Sequence, residues 1–332
     1  MSISIKEPYN YKSPYANEFK KYIELRELTL KKSTLESEIK CMVNLDRYLN
    51  ERITSRCSLT LDLMEEWAAR KPCEKLLTQK KRIERTQKLF SFLNEQGIEA
   101  KLPVVVFKNA QSDYIPYIFT KDEIQRIFEA ADDYASTIKS PYLHLTVPLA
   151  FRILYGCGLR SSELINLKVN DIDFDRDVLG IWNTKFHKSR YVPFSSSLGM
   201  RMKEYIGQRY LNHDENTYLF ASLHGKKYTT NEVHYWHMKL LYRAGIAHGG
   251  KGYGPRVHDY RHTFAVHSLQ KNIDNGQDIM TILPVLATYM GHKDLRGTQY
   301  YLRLTADLYP YIIDVLECKY GKLLKGGECN EN

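Results

Sequence analysis

The stretch Met290-Gly-His-Lys-Asp-Leu-Arg-Gly-Thr-Gln-Tyr-Tyr-Leu-Arg303 decides how this chain is read. Tyr301 stands nine residues beyond His292. Upstream lie His258-Asp-Tyr-Arg261-His-Thr-Phe-Ala265 and Gly158-Leu-Arg160-Ser-Ser-Glu-Leu164. The chain holds 25 tyrosines, so an isolated phenol carries no information and its place in the pattern carries all of it. Two arginines, two histidines and a phenol in this order suit attack on a phosphodiester by tyrosine, with cations around the phosphorus.

Strand cleavage without hydrolysis needs a nucleophile that keeps the phosphoryl bond, and a phenolate does so by forming a phosphotyrosine. Fixed guanidinium groups stabilise the charge that develops on the non-bridging oxygens. The departing 5′ oxygen needs a proton from a nearby general acid. None of these steps calls for a metal or a nucleotide. The sequence contains no Walker phosphate-loop pattern and no clear pair of metal-binding carboxylates. A zinc pair at His258 and His262 is the competing reading of that segment, but neither a His-Glu-x-x-His pattern nor a third ligand accompanies it.

The three segments together resemble the tyrosine recombinase, or phage-integrase, family, of the mobile-element integrase and transposase type. The resemblance covers roughly residues 15–320. It makes Arg160 the first catalytic arginine and places His258 and Arg261 in the His-x-x-Arg motif. It also makes His292 the Gly-His histidine and Tyr301 the nucleophile, with Tyr300 as the rival phenol. The family's general acid sits in a β-hairpin between the first arginine and His-x-x-Arg. Here Thr184-Lys-Phe-His-Lys-Ser-Arg-Tyr-Val-Pro193 resembles that hairpin, with Lys185 the nearest match and Lys188 the alternative. Glu163 reads as structural, either buttressing the fold or bonding Arg160. The sequence departs from the family's common pattern in the run after Arg261, in the Gly-rich stretch from His248 to Pro255, read as linker, and in Leu302-Arg303 after the tyrosine.

The resemblance implies a fold in two parts. The first is an N-terminal all-α bundle of the core-binding, SAM-like kind. The second is a mixed α+β, mainly helical catalytic domain with a small β-sheet. It further implies double-stranded DNA as partner and four protomers joined through exchange of a C-terminal helix, with accessory factors left open. The function implied is site-specific recombination, in integration, excision or transposition. The alternatives are chromosome or plasmid dimer resolution, and a catalytically silent DNA-binding regulator on the same fold.

Patterning independent of the resemblance gives a similar outline. Residues from about 15 to 97 read as helical. One face runs Met42, Leu45, Tyr48, Leu49, a second segment spans Leu61 to Ala69, and a third spans Leu76 to Leu93. Lys80, Lys81, Arg82, Arg85 and Lys88 on the third are candidate DNA contacts, with a solvated helix face as the plain alternative. Gly97 ends that helix. Pro103 and Pro116 bracket an extended connection, which predicts domains over 1–105 and 118–332 with a linker at 106–117. Thr120-Lys-Asp-Glu123 and Thr229-Thr-Asn-Glu232 are capping boxes. Asp171–Phe174, Val178–Trp182 and Arg190–Phe194 read as short strands. An amphipathic helix is expected over Leu308–Leu324.

With 332 residues the chain is long for a single core. A formal charge of +9 favours a polyanionic partner without proving one. Six scattered cysteines without a C-x-x-C pair suit a reducing compartment. The N-terminus has no signal-peptide core, and no stretch nears the roughly 18 apolar residues of a membrane span. A cytoplasmic protein without cofactor or metal is expected.

Overall fold

The computed structural model describes residues 10–107, 115–182, 189–210, 214, 216–250, 253–291, 300–302 and 304–305. The chain divides into two compact units, Met1–Asp113 and Tyr114–Asn332.

The first unit is helical. Helices α1 (Ala16–Glu27), α2 (Lys32–Asn50), α3 (Leu61–Ala68) and α4 (Leu76–Glu95) enclose a core of Phe19, Met42, Leu45, Leu49, Trp67, Phe90 and Leu93. The face Met42, Leu45, Leu49 turns inward because a 3.6-residue period stacks these positions on one stripe. Thr60 caps α3 by accepting from the Leu63 amide, and Gly97, at φ +78°, closes α4 in the left-handed region. The indole N–H of Trp67 is satisfied inside the core by Thr86, 3.1 Å away.

One expectation is corrected here. Arg82 is no surface cation: its guanidinium is buried and forks onto Glu74 at 2.9 and 2.7 Å, and it donates to the carbonyls of Trp67 and Ala69. Those two carbonyls belong to the end of α3, where backbone acceptors have no partner within the helix, so the arginine caps one helix from the side of another. Lys81 and Lys88 are exposed, and Lys80 and Arg85 are half-buried.

The second unit begins on the Thr120 capping box. The Glu123 amide donates to the Thr120 hydroxyl at 3.1 Å and the Thr120 amide to the Glu123 carboxylate at 2.8 Å. Helices α5 (Lys121–Asp132) and α6 (Leu143–Gly156) pack together, and a short α7 (Ser161–Leu164) follows. Strands β1 (Ile172–Asp173), β2 (Val178–Ile181) and β3 (Arg190–Pro193) form an antiparallel sheet in the order β1-β2-β3, with Leu179 opposite Val192 and Ile181 opposite Arg190. Next come α8 (Ser196–Arg209), α9 (Thr230–Arg243), opened by its own capping box, α10 (Asp259–Asp274) and α11 (Ile279–Met290). Most of α6 is buried (Val147, Ala150, Phe151, Leu154), making it the helix around which this unit is assembled. Part of the run after Arg261, where the sequence departs from the family's common pattern, continues α10 to Asp274 before Gly276 turns the chain. The C-terminal helix expected over Leu308–Leu324 lies outside the described residues.

Removing Arg82 leaves the Glu74 carboxylate without its partner in a buried setting. Arg82→Ala should therefore cost about 3 kcal/mol of unfolding free energy, while Lys81→Ala should stay within about 0.5 kcal/mol. Chemical denaturation of the two variants checks this, and equal small losses would return Arg82 to the surface set.

Candidate active site

The site is assembled from four stretches of the second unit. Helix α6 ends at Gly156, and Gly158 turns the chain at φ +57°. A Cβ at Gly158 would stand 2.5 Å from the Phe264 ring, so both conformation and space require glycine. That turn presents Arg160 as the residue opening α7. Glu163, three positions on, folds back to accept from the Arg160 amide at 3.0 Å.

Glu163 is the hub. Its Oε1 accepts from Arg160 at 2.7 Å and from Arg190 at 3.0 Å, and its Oε2 accepts from Arg190 at 2.9 Å. The Arg261 guanidinium lies 3.9 Å from the same carboxylate. Burial alone would raise this carboxyl, but the hydrogen bonds and charge of Arg190, with Arg160 behind them, outweigh it and hold Glu163 at about 2.

Arg261 comes from the first turn of α10. It donates to the carbonyls of Gly158, at 2.7 Å, and Met290, and its side chain is 1% exposed. Desolvation and then the neighbouring Arg160 charge lower it to about 10, so it stays cationic at neutral pH. Arg160, by contrast, leaves 24% of its side chain open.

His258 immediately precedes α10 and is exposed as a residue. Desolvation of its ring, reinforced by the Arg261 and Arg160 charges, pushes the imidazole down to about 4 and keeps it neutral at physiological pH. His262 packs edge-on to it with ring centres 4.7 Å apart, and Tyr301 lies 5.4 Å beyond His262. Tyr301 is 4% exposed and Tyr300 40%. Burial raises the Tyr301 phenol, while Arg261, by charge and hydrogen bond, and Arg160 oppose the rise. Tyr300 shows no such opposition from a guanidinium.

The His258 segment is pinned from behind by His237 of α9. The fully buried His237 ring bonds the Pro255 carbonyl at 3.0 Å through Nε2 and the Tyr260 hydroxyl at 3.2 Å through Nδ1. Burial lowers His237 to about 4, so the neutral ring donates at one nitrogen and accepts at the other. A Cβ at Gly254 would fall 1.5 Å from the His248 carbonyl oxygen; the stretch read as linker is a tight backbone crossing just ahead of the site.

Arg160, His258, Arg261 and Tyr301 are thus brought together. Lys185, Lys188 and His292 lie outside the described residues, and the cations of α4 belong to the first unit. Arg190, which the sequence marks only as the start of a strand, joins the group. No cluster of three or more metal-ligating side chains occurs among the described residues.

Comparison with known proteins agrees with this architecture. The phage integrase family profile matches residues 118–307. An integrase/recombinase of Sinorhizobium fredii is 34% identical over 212 residues, 62% of this chain and 67% of that protein. The tyrosine recombinase XerA of Pyrococcus horikoshii is 29% identical over 223 residues, 66% of this chain and 67% of its own. Among solved structures, the XerH site-specific recombinase bound to palindromic difH substrate shares the fold at TM-score 0.66 and 18% identity, over 90% of this chain and 84% of that one. The Tn1549 transposon integrase in complex with circular intermediate DNA does so at TM-score 0.60 and 19% identity, over 87% and 95%. Fold and relatives define a recombinase of the tyrosine class. The chain belongs to the phage integrase family.

The depressed Glu163 carboxyl has a consequence for acid stability. A carboxylate whose folded value lies below its ordinary 4.5 contributes stability fully above that value and loses it as pH falls toward about 2. Wild-type protein should lose on the order of 3 kcal/mol across that window through this group, and Glu163→Gln should lose less. Parallel acid-unfolding curves would show the slopes diverging below pH 4.5, whereas coincident slopes would mean the carboxylate is not held by its arginines.

Proposed function

We propose that this chain performs site-specific DNA recombination through a 3′-phosphotyrosine intermediate and a four-way junction, serving integration, excision or transposition of a mobile element. The observation that carries the reading is the gathering of Arg160, His258, Arg261 and Tyr301 beside one buried carboxylate from three separate segments of the second unit.

Tyr301 attacks the phosphorus and forms the phosphotyrosine bond as the bond to the 5′ oxygen breaks. The phenol proton passes toward the neutral His258 ring, and the guanidinium groups of Arg160 and Arg261 take the charge on the non-bridging oxygens. Arg160, the more open of the two, meets the phosphate first. Lys185 protonates the leaving 5′ oxygen and His292 adds a donor to the phosphate; both roles rest on the family resemblance. Rejoining is the same path reversed, with a 5′ hydroxyl from another strand as nucleophile.

Lys80, Lys81, Arg85 and Lys88 of α4 contact DNA phosphates, and Arg82 drops out of that set. Four protomers assemble on two sites by exchange of the C-terminal helix. The apolar groove of about 490 Å³ between α10 and α11, lined by Phe264, Ile282, Val285 and Tyr289, is a seat of suitable chemistry for it. The intact cluster favours an enzyme over a silent regulator, and the protein acts in the cytoplasm. No helix among the described residues is long and apolar enough to cross a membrane.

A pool of random-sequence duplexes bearing a nick tests the reading, because the short fragment that carries the released 5′ hydroxyl dissociates at the nick and leaves the covalent adduct trapped. Wild-type protein should yield adducts resistant to denaturation, mapping to Tyr301 and enriched in one DNA sequence. Tyr301→Phe should bind that sequence and yield none, while Tyr300→Phe should still yield them. The reverse pattern would make Tyr300 the nucleophile, and no wild-type adduct would refute the function.

Replacing the bridging 5′ oxygen by sulfur makes the leaving group a good one without protonation. Lys185→Ala should then regain cleavage on the sulfur substrate that it lacks on the ordinary one. Rescue of Lys188→Ala alone would move the general acid by three residues.

A further inference from the structure

We infer that Arg190 is a positioning residue for the strand-transfer site: it holds Glu163 so that Arg160 keeps a donor edge free for the phosphate. The inference rests on the functional reading above and concerns a residue to which that reading gives no part.

Arg190 has little surface left to offer DNA. Its two terminal nitrogens fork onto both oxygens of Glu163 at 3.0 and 2.9 Å, and its Nε donates to the Tyr289 carbonyl at 2.8 Å. Its side chain is 8% exposed, against 24% for Arg160. Gly291, at φ +63°, lets the chain pass against it; a Cβ there would stand 3.3 Å from both Cδ and Nη1 of Arg190. The residue therefore ties β3, the last turn of α11 and the start of α7 together through one planar group.

A guanidinium and a carboxylate prefer the two-bond fork. With Arg190 on that edge of Glu163, the Arg160 guanidinium is left one bond to the carboxylate, through Nη1 at 2.7 Å, beside the bond from its backbone amide. Its other donors stay available for the phosphate. Without Arg190, the same preference would turn Arg160 onto both oxygens of Glu163 and withdraw it from the substrate. Arg261 would gain a stronger pull as well, since it already stands 3.9 Å from Oε2. Arg190 acts by occupying the carboxylate that would otherwise compete with the phosphate.

A lysine cannot substitute. It would keep the charge but lacks the planar fork, and one ammonium cannot hold both carboxylate oxygens and the Tyr289 carbonyl in the same geometry.

The test is a double-mutant cycle on the nicked duplex selected above, reading the single-turnover rate of adduct formation. DNA affinity and thermal unfolding are measured alongside. Arg190→Ala should lower cleavage about 100-fold, the scale of a misplaced catalytic group, and change affinity less than about threefold. In the Glu163→Gln background the same substitution should cost less than about threefold, because the carboxylate through which Arg190 acts is already neutral. Arg190→Lys should stay at least about tenfold below wild type, and it replaces the alanine variant in the cycle should that one fail to fold. A loss that repeats in full in the Glu163→Gln background would overturn the inference and make Arg190 a fold residue only. So would full activity of Arg190→Lys. Absence of a wild-type adduct would instead refute the functional reading, and this one with it.

Discussion

One carboxylate shared among three guanidinium groups is the constraint on which this active site depends. Three like charges within reach of one another would repel strongly in a buried setting, and Glu163 is the counter-charge that lets them stay. It is supplied by a short helix that opens where a glycine turn permits, so the electrostatics rest on backbone geometry. The chemistry gains a dense positive field with the donors already oriented. Preorganisation of that kind is what a transition state with spreading negative charge rewards.

The cost of the arrangement is enclosure. Arg261 and Tyr301 are almost fully covered in the protein by itself, and both phenol and guanidinium are shifted by burial in the direction that disfavours charge. Arg160 alone among the arginines of the cluster keeps an open edge, which gives the site a polarity: an entrance at Arg160 and a closed end at Tyr301.

Much of this was legible from residue order. The capping boxes at Thr120 and Thr229, the three strands and the positive-φ stop at Gly97 appear where local rules put them, because each depends on neighbours in sequence. What escaped depended on distant partners. Arg82 lies among lysines and reads as solvated, and nothing local says that Glu74 and the end of α3 wait for it. Arg190 looks like any cation at a strand edge until β3 is laid beside α7 and α11. The glycines from 249 to 254 suggested slack, whereas Gly254 is the tightest crossing among the described glycines.

His237 makes α9 and the backbone ahead of His258 a single mechanical part. Its ring is bonded at both nitrogens, packed beside Phe151 and sealed from water, so neither bond has a solvent molecule to replace it. A shift of α9 by even an ångström would have to carry Pro255 and Tyr260 along or strand two buried polar groups. The outer face of the same helix exposes Tyr235 and Tyr242, with Lys239 lying over the Tyr235 ring. The outer surface of α9 and the backbone on either side of the reaction-centre imidazole are therefore joined through one ring, in a coupling with little slack.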